Sequence, residues 1–219
     1  MNRSQPPLLT QMVKVYFKAT NDTSLLKRAF PLLLKEYDFW RVESTITLKH
    51  SESRKRYHLN RYVVKNSLPR PESYLQDYTV VETKKFNDTQ KKELYADIAS
   101  CAETGWDFSS RWVRDPYIPA IVTKNVPSNN EMLRTLNTRN VVPVDLNSIL
   151  YMNEITLSEF AKELGDKRVE KTMKNQAKRR REAMMLFMWD EGKKLYMDFN
   201  LTSGTKSEIF TLASYFPFW

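Results

Sequence analysis

Glycine is scarce in this chain, with four among 219 residues. Glycine is the residue that enters φ > 0 freely in tight turns, so its scarcity argues against an all-β fold of many hairpins. A single cysteine, Cys101, leaves no intramolecular disulfide to form; it is expected to pack as a small buried apolar group. No apolar run approaches the ~18 residues that span a bilayer; the longest, Ala183–Trp189, is far too short. The opening MNRSQPPLLT lacks the charged-then-apolar pattern of a signal peptide. Against these absences stand 41% hydrophobic and 12% aromatic residues. That is enough to bury a core, and wholesale disorder is not expected.

The formal net charge is +9, with a local peak at Lys178-Arg179-Arg180-Arg181. This run falls within a helical pattern, 167–189, and reads as a solvated helix face. Nucleic-acid binders interleave such charge with stacking aromatics or carry a fold signature. Neither is visible, so no nucleic-acid partner is expected. Sequons at Asn21, Asn87 and Asn200 would permit N-glycosylation in a secretory setting.

Helical periodicity organises most of the chain. It predicts a helix over 8–19 and a second over 24–39, with Asn21-Asp22-Thr23 as the break and cap. Thr45–Leu48 favour a short strand, and 50–57 reads as a charged loop. The stretch 65–78, with Pro69 and Pro71, reads as irregular. Asn87-Asp88 can cap a helix running to about Ala102. A long irregular stretch follows, 103–130, of the kind that often carries function. Helices return from Asp145 to Leu164, with a break expected near Asn153 because Thr156 and Glu159 form a capping-box pattern. Gly165 ends that helix, and another runs on through Phe187. Thr205 and Glu208 form a second such pattern, which predicts a final helix.

Three irregular segments concentrate polar chemistry: NRSQPP (2–7), LPRPESYLQDY (68–78) and ETGWDFSSRWVRD (103–115). Arg, Asp, Glu and Gln offer the donor and acceptor forks that sugar hydroxyls need. Trp offers a flat apolar face for a pyranose ring. Glycoside hydrolysis further requires two carboxyl groups across the scissile bond. Within the third segment Glu103 and Asp107 are four apart, but Gly105 between them speaks against one regular helix.

NRSQPPLL, NRYVVKNSLPRPESYLQDY, SCAETGWDFSSRWVRD and VPVDLNSILY resemble consecutive motifs of the trehalase family, glycoside hydrolase family 37. They stand in the family's order, most densely from Asn2 to Leu150. The resemblance implies an all-α fold: part of an (α/α)6 toroid of the six-hairpin glycosidase type, with long irregular loops and at most one short β element. Residues 1–219 would form a single incomplete domain, the middle portion of the toroid. The implied activity is inverting hydrolysis of α,α-trehalose to two glucoses. The alternative is a catalytically inactive sugar-binding or interaction remnant of the same fold.

The resemblance also implies residue roles. Asp107 is the expected general acid. Arg3, Gln5, Arg70 and Glu72 are the expected sugar contacts. Residue type adds Trp106 as a surface flanking a glucose ring and Arg111 as a group that holds the loop or a carboxylate. No segment resembles the family's base-bearing motif, so the general base is expected outside this chain. The family's PGGRF-type signature would lie before Asn2 and its QWDYPNGWAP-type signature after Trp219. Where the family has a Gly pair before PRPESY, this chain has Asn66, Ser67 and Leu68; Leu68 at φ > 0 would be strained. No cofactor or metal is expected; the expected partners are trehalose or glucose, with no stable membrane span. An open toroid edge would invite self-association. Relatives imply a parent that is secreted, lysosomal or membrane-tethered.

Overall fold

The computed structural model describes residues 4–106, 108–114 and 129–219. In chain order the elements are α1 (Leu9–Thr20), α2 (Thr23–Glu43), β1 (Thr45–Lys49), β2 (Arg56–Asn60), α3 (Tyr74–Glu82), α4 (Asp88–Glu103), α5 (Asn129–Leu133), β3 (Val141–Val142), α6 (Val144–Glu163), α7 (Lys167–Phe187), β4 (Trp189–Asp190), β5 (Leu195–Tyr196), β6 (Phe199–Asn200) and β7 (Thr205–Lys206). They form two compact units, one of residues 1–5 and 62–141, the other of 6–61 and 142–219.

The second unit is built on α6. Its residues are buried on nearly every side, from Val144 to Ala161, with polar ones such as Asp145, Asn147 and Glu154 among them. Leu157, Phe160 and Ala161 meet Leu26, Phe30 and Leu33 of α2 and Met173 of α7. Asp22 caps α2 by accepting from the Leu25 N–H at 2.9 Å, and Asp166 caps α7 through Val169 N–H at 2.9 Å. Asn21 ends α1 at φ 54, where Asn is tolerated. Gly165, at φ 79, makes the turn between α6 and α7 as the sequence predicts.

The break expected near Asn153 does not occur: α6 is continuous. Its polar residues are there for tertiary partners. Asn153 Nδ2 donates to the Pro7 carbonyl at 2.7 Å, and Gln11 Nε2 donates to Thr156 Oγ1 at 3.2 Å. The final helix predicted from Thr205 and Glu208 is also absent. Thr205–Lys206 instead pair with Phe199–Asn200 across a turn that places Gly204 at φ 70. Ser207 N–H then donates to the Asp198 carbonyl at 2.7 Å, and the chain reaches a 3-10 stretch only at Leu212–Phe218.

Strands therefore exceed the one short element expected, although helices dominate. β1 and β2 form an antiparallel hairpin from Thr45↔Asn60 to Lys49↔Arg56, with Arg54 at φ 53 in its turn. Part of the segment read as loop thus pairs because Thr45–Lys49 needs a partner for its backbone groups.

The first unit packs Val80 and Val81 of α3 and Leu94, Tyr95, Ile98 and Cys101 of α4 against Trp112, Val113 and Leu136. Asn87 and Gln90 form a reciprocal capping box at the start of α4, satisfying two N–H groups that a helix start leaves open. The stretch read as irregular up to residue 78 contains the first half of α3, preceded by a 3-10 turn at Pro71–Ser73. Proline at the first position of a helical turn gives up only an N–H that has no partner anyway.

Candidate active site

The described positions 5, 70, 72 and 106 expected at the sugar, and Arg111 expected to hold the loop, fall in the first unit by residue number. Arg3 and Asp107 lie outside the described residues. The others can be placed individually.

Arg70 precedes the 3-10 turn and is buried. Its Nε and Nη2 donate to the two carboxylate oxygens of Asp77 at 2.8 and 2.7 Å, and its backbone N–H reaches Asp77 Oδ2 at 3.0 Å. This fork fixes the plane of the guanidinium. The Phe108 ring stands 5.6 Å from the Arg70 Cζ atom. Arg70 of PRPE and Phe108 of GWDFSSRW, 38 positions apart (70 to 108), are thereby brought together. Glu72 sits exposed on the adjoining turn.

Leu68 escapes the strain expected of it. Among the described residues the non-glycine positions at positive φ are Asn21, Arg54 and Lys194. Asn66 carries the turn instead: its Nδ2 donates to the Leu68 carbonyl at 2.6 Å.

α4 ends at Glu103, with Gly105 at φ 73 just beyond. Glu103 is buried and accepts from Ser4 twice, from the N–H at 2.7 Å and the hydroxyl at 2.6 Å. These bonds hold Ser4, next to exposed Gln5, against the C-terminal end of α4.

Thr104 Oγ1 accepts from Trp106 N–H at 3.0 Å. Arg111, buried on the 3-10 turn Ser110–Trp112, lies 5.0 Å from the Trp106 ring and 4.3 Å from the Trp112 ring. A guanidinium this close to two indole rings is held by cation–π attraction. Residues on either side of position 107 are thus anchored, by Thr104 and Arg111 on one side and by Arg70 against Phe108 on the other.

Cys101 is fully buried. Burial pushes its thiol up to about 12, against the opposing pull of Thr138 and of Arg70 and Arg111. Arg70 and Arg111 therefore share this neighbourhood, and the cysteine is a packing group. A cavity of about 290 Å³ in the same unit is lined by Leu68, Pro69, Tyr74, Tyr78 and Tyr95 among others, and not by Arg70 or Glu72.

Asp77 and Glu103 are positioning residues that reading the sequence does not identify as such. Asp77 precedes Val80 and Val81 by three and four residues, and all three are buried on α3. Helical spacing would have marked a carboxylate on an apolar face, where it needs a cation. Reading 65–78 as irregular hid that spacing.

Among the described residues no group of three metal-binding side chains converges, and no helix is long and apolar enough to cross a membrane.

The helical architecture, with Arg, Trp and carboxylate side chains gathered on loops, is that of part of an (α/α)6 glycosidase toroid. The neutral trehalase of Saccharomyces cerevisiae superposes with a TM-score of 0.65 at 23% identity, covering 99% of this chain and 41% of that one. A family 63 mannosylglycerate hydrolase from Thermus thermophilus shares the fold with a TM-score of 0.54 at 15% identity, over 99% and 47% of the two chains. The sequence model of the trehalase family matches residues 1–219, and the chain belongs to that family. It is 41% identical over 220 aligned residues to a trehalase of Dictyostelium discoideum, covering 99% of this chain and 35% of that one. It is 35% identical to a Homo sapiens trehalase, over 100% and 35%. The chain spans about a third of the length of these curated relatives.

Proposed function

We propose that this chain is the acid-bearing portion of an inverting hydrolase that splits α,α-trehalose into two glucoses. It would form one incomplete domain, the middle portion of a toroid completed by other residues. Asp107 donates a proton to the glycosidic oxygen as the bond breaks. A carboxylate from outside this chain activates water on the opposite face, ~6.5–9.5 Å from the acid as inversion demands. Arg3, Gln5, Arg70 and Glu72 hold sugar hydroxyls, and Trp106 presents a ring face to a glucose. Arg111 positions Trp106 by cation–π attraction to its ring.

The observation that carries this reading is the pinning of residues 106 and 108 by Thr104, Arg111 and Arg70. An acid that must meet one oxygen in the transition state needs such a rigid mount. Calorimetric titration of trehalose into the purified chain tests it, because one trace reads both binding and turnover. The expected trace is saturable heat without sustained hydrolysis, weakened at least tenfold by Trp106→Ala. No heat at saturating trehalose would overturn the sugar site. Sustained heat abolished by Asp107→Asn would overturn the placement of the base outside the chain.

A further inference from the structure

A groove of about 710 Å³ lies in the second unit, between α2, β2 and α7. None of the expected trehalose contacts lines it. Its volume is in the range of small-molecule sites. Arg41, Lys55, Arg56 and Arg179 line it, with Glu154 and Arg180 buried among the lining residues.

The charges there do not balance. Arg180 is matched by Glu154, at 2.9 Å, and Arg41 by Asp38, at 3.0 Å. Lys55, Arg56 and Arg179 are exposed and have no ion-pair partner among the described residues. The lining carboxylate besides Glu154 is Glu182. Two of the three uncompensated cations are guanidiniums, whose fork matches a phosphate bidentately.

The buried end of the groove has the opposite need. Glu154 is 1% exposed. Its Oε1 accepts from the Tyr37 hydroxyl at 2.8 Å and from Arg180 Nε at 2.9 Å. Its Oε2 is buried and accepts no hydrogen bond from the described residues. A buried carboxylate oxygen of this kind calls for a donor. Gln176 and His58, also lining, add groups that can donate or accept.

We propose that this groove binds a phosphorylated polyol of sugar size. Its phosphate monoester sits among Lys55, Arg56 and Arg179, and one of its hydroxyls donates to Glu154 Oε2. This pairs three unmatched cations with a dianion and the open acceptor with an O–H donor. An anion without hydroxyls would answer only the first need, and an uncharged sugar only the second.

The test is calorimetry of the purified chain at low salt with three probes: glucose 6-phosphate, inorganic phosphate and glucose. Glucose 6-phosphate is expected to bind at least tenfold more tightly than phosphate. The double variant Arg56→Ala/Arg179→Ala should lose at least thirtyfold in glucose 6-phosphate affinity. Both positions are exposed, so its circular dichroism and melting temperature should match the parent chain. Any glucose binding should survive in the double variant, since it would belong to the trehalose-type site. The proposal is overturned if glucose 6-phosphate does not bind, if the double variant binds it as well as the parent, or if phosphate binds equally tightly. Tighter binding of a short DNA oligonucleotide, lost in the same variant, would also overturn it by showing a general polyanion surface.

Discussion

Arg180 stands in a run of four cations, yet it is buried while Lys178, Arg179 and Arg181 are exposed. The run as a whole is not the solvated face it resembles. Its position explains why: Arg180 follows Ala177 by three residues and precedes Met184 by four, and all are buried on α7 with Met173. A helical wheel shows this stripe; a count of charges hides it. Burial works against the Arg180 charge, but Glu154 beside it holds it protonated. The pair is further tied in by Asn60 and Asn147, whose Oδ1 atoms accept from Arg180 Nη1 at 2.8 and 2.9 Å. Arg180→Ala would leave Glu154 buried without its cation, and about 3–5 kcal/mol of stability should be lost. Urea denaturation reads this directly; a loss under about 1 kcal/mol would contradict the network. Cys101 yields a second prediction at this scale. With its thiol pushed up to about 12 by burial, it remains protonated at pH 9 and should resist alkylation until denaturant is added. Rapid labelling of the native chain would place it elsewhere.

At the scale of elements, caps were legible where they are local. Asn87 begins α4 as its sequence suggests, and Asn87→Ala should cost about 1 kcal/mol, measurable as a lowered urea midpoint at unchanged slope. The same kind of signal misleads at Thr156, where Thr-x-x-Glu lies inside a continuous helix. Its hydroxyl accepts from Gln11, 145 residues earlier, and nothing in a short window can distinguish that partner from a helix start. The two-residue strands β4 to β7 are too short for a period of two to register. Arg111 shows element and site meeting. Arg111→Lys keeps the charge but loses the delocalised guanidinium beside Trp106 and Trp112. A cost of about 1–2 kcal/mol is expected, with a shift in tryptophan emission as Trp106 loosens.

The whole molecule was legible in family and helical class but not in its division into units. The chain begins in one unit, passes into the other, returns and leaves again. That interleaving depends on contacts such as Ser4 with Glu103, 99 residues apart, which no local pattern encodes. α1 and α2 also leave apolar side chains exposed, among them Met12, Val15, Leu32 and Val42. Such patches favour association, so the purified chain should sediment increasingly as oligomers with rising concentration. A monomer at every concentration would contradict an open toroid edge. The central claim, that this chain carries the acid and sugar-holding part of a trehalase, is tested most directly by a graft. Residues 1–219 would replace the aligned stretch of the Dictyostelium discoideum trehalase, and glucose release from trehalose would be measured. The account predicts an active chimera that loses on the order of 10²–10⁴-fold in rate with Asp107→Asn. A folded chimera without activity, or one indifferent to Asp107→Asn, would contradict it.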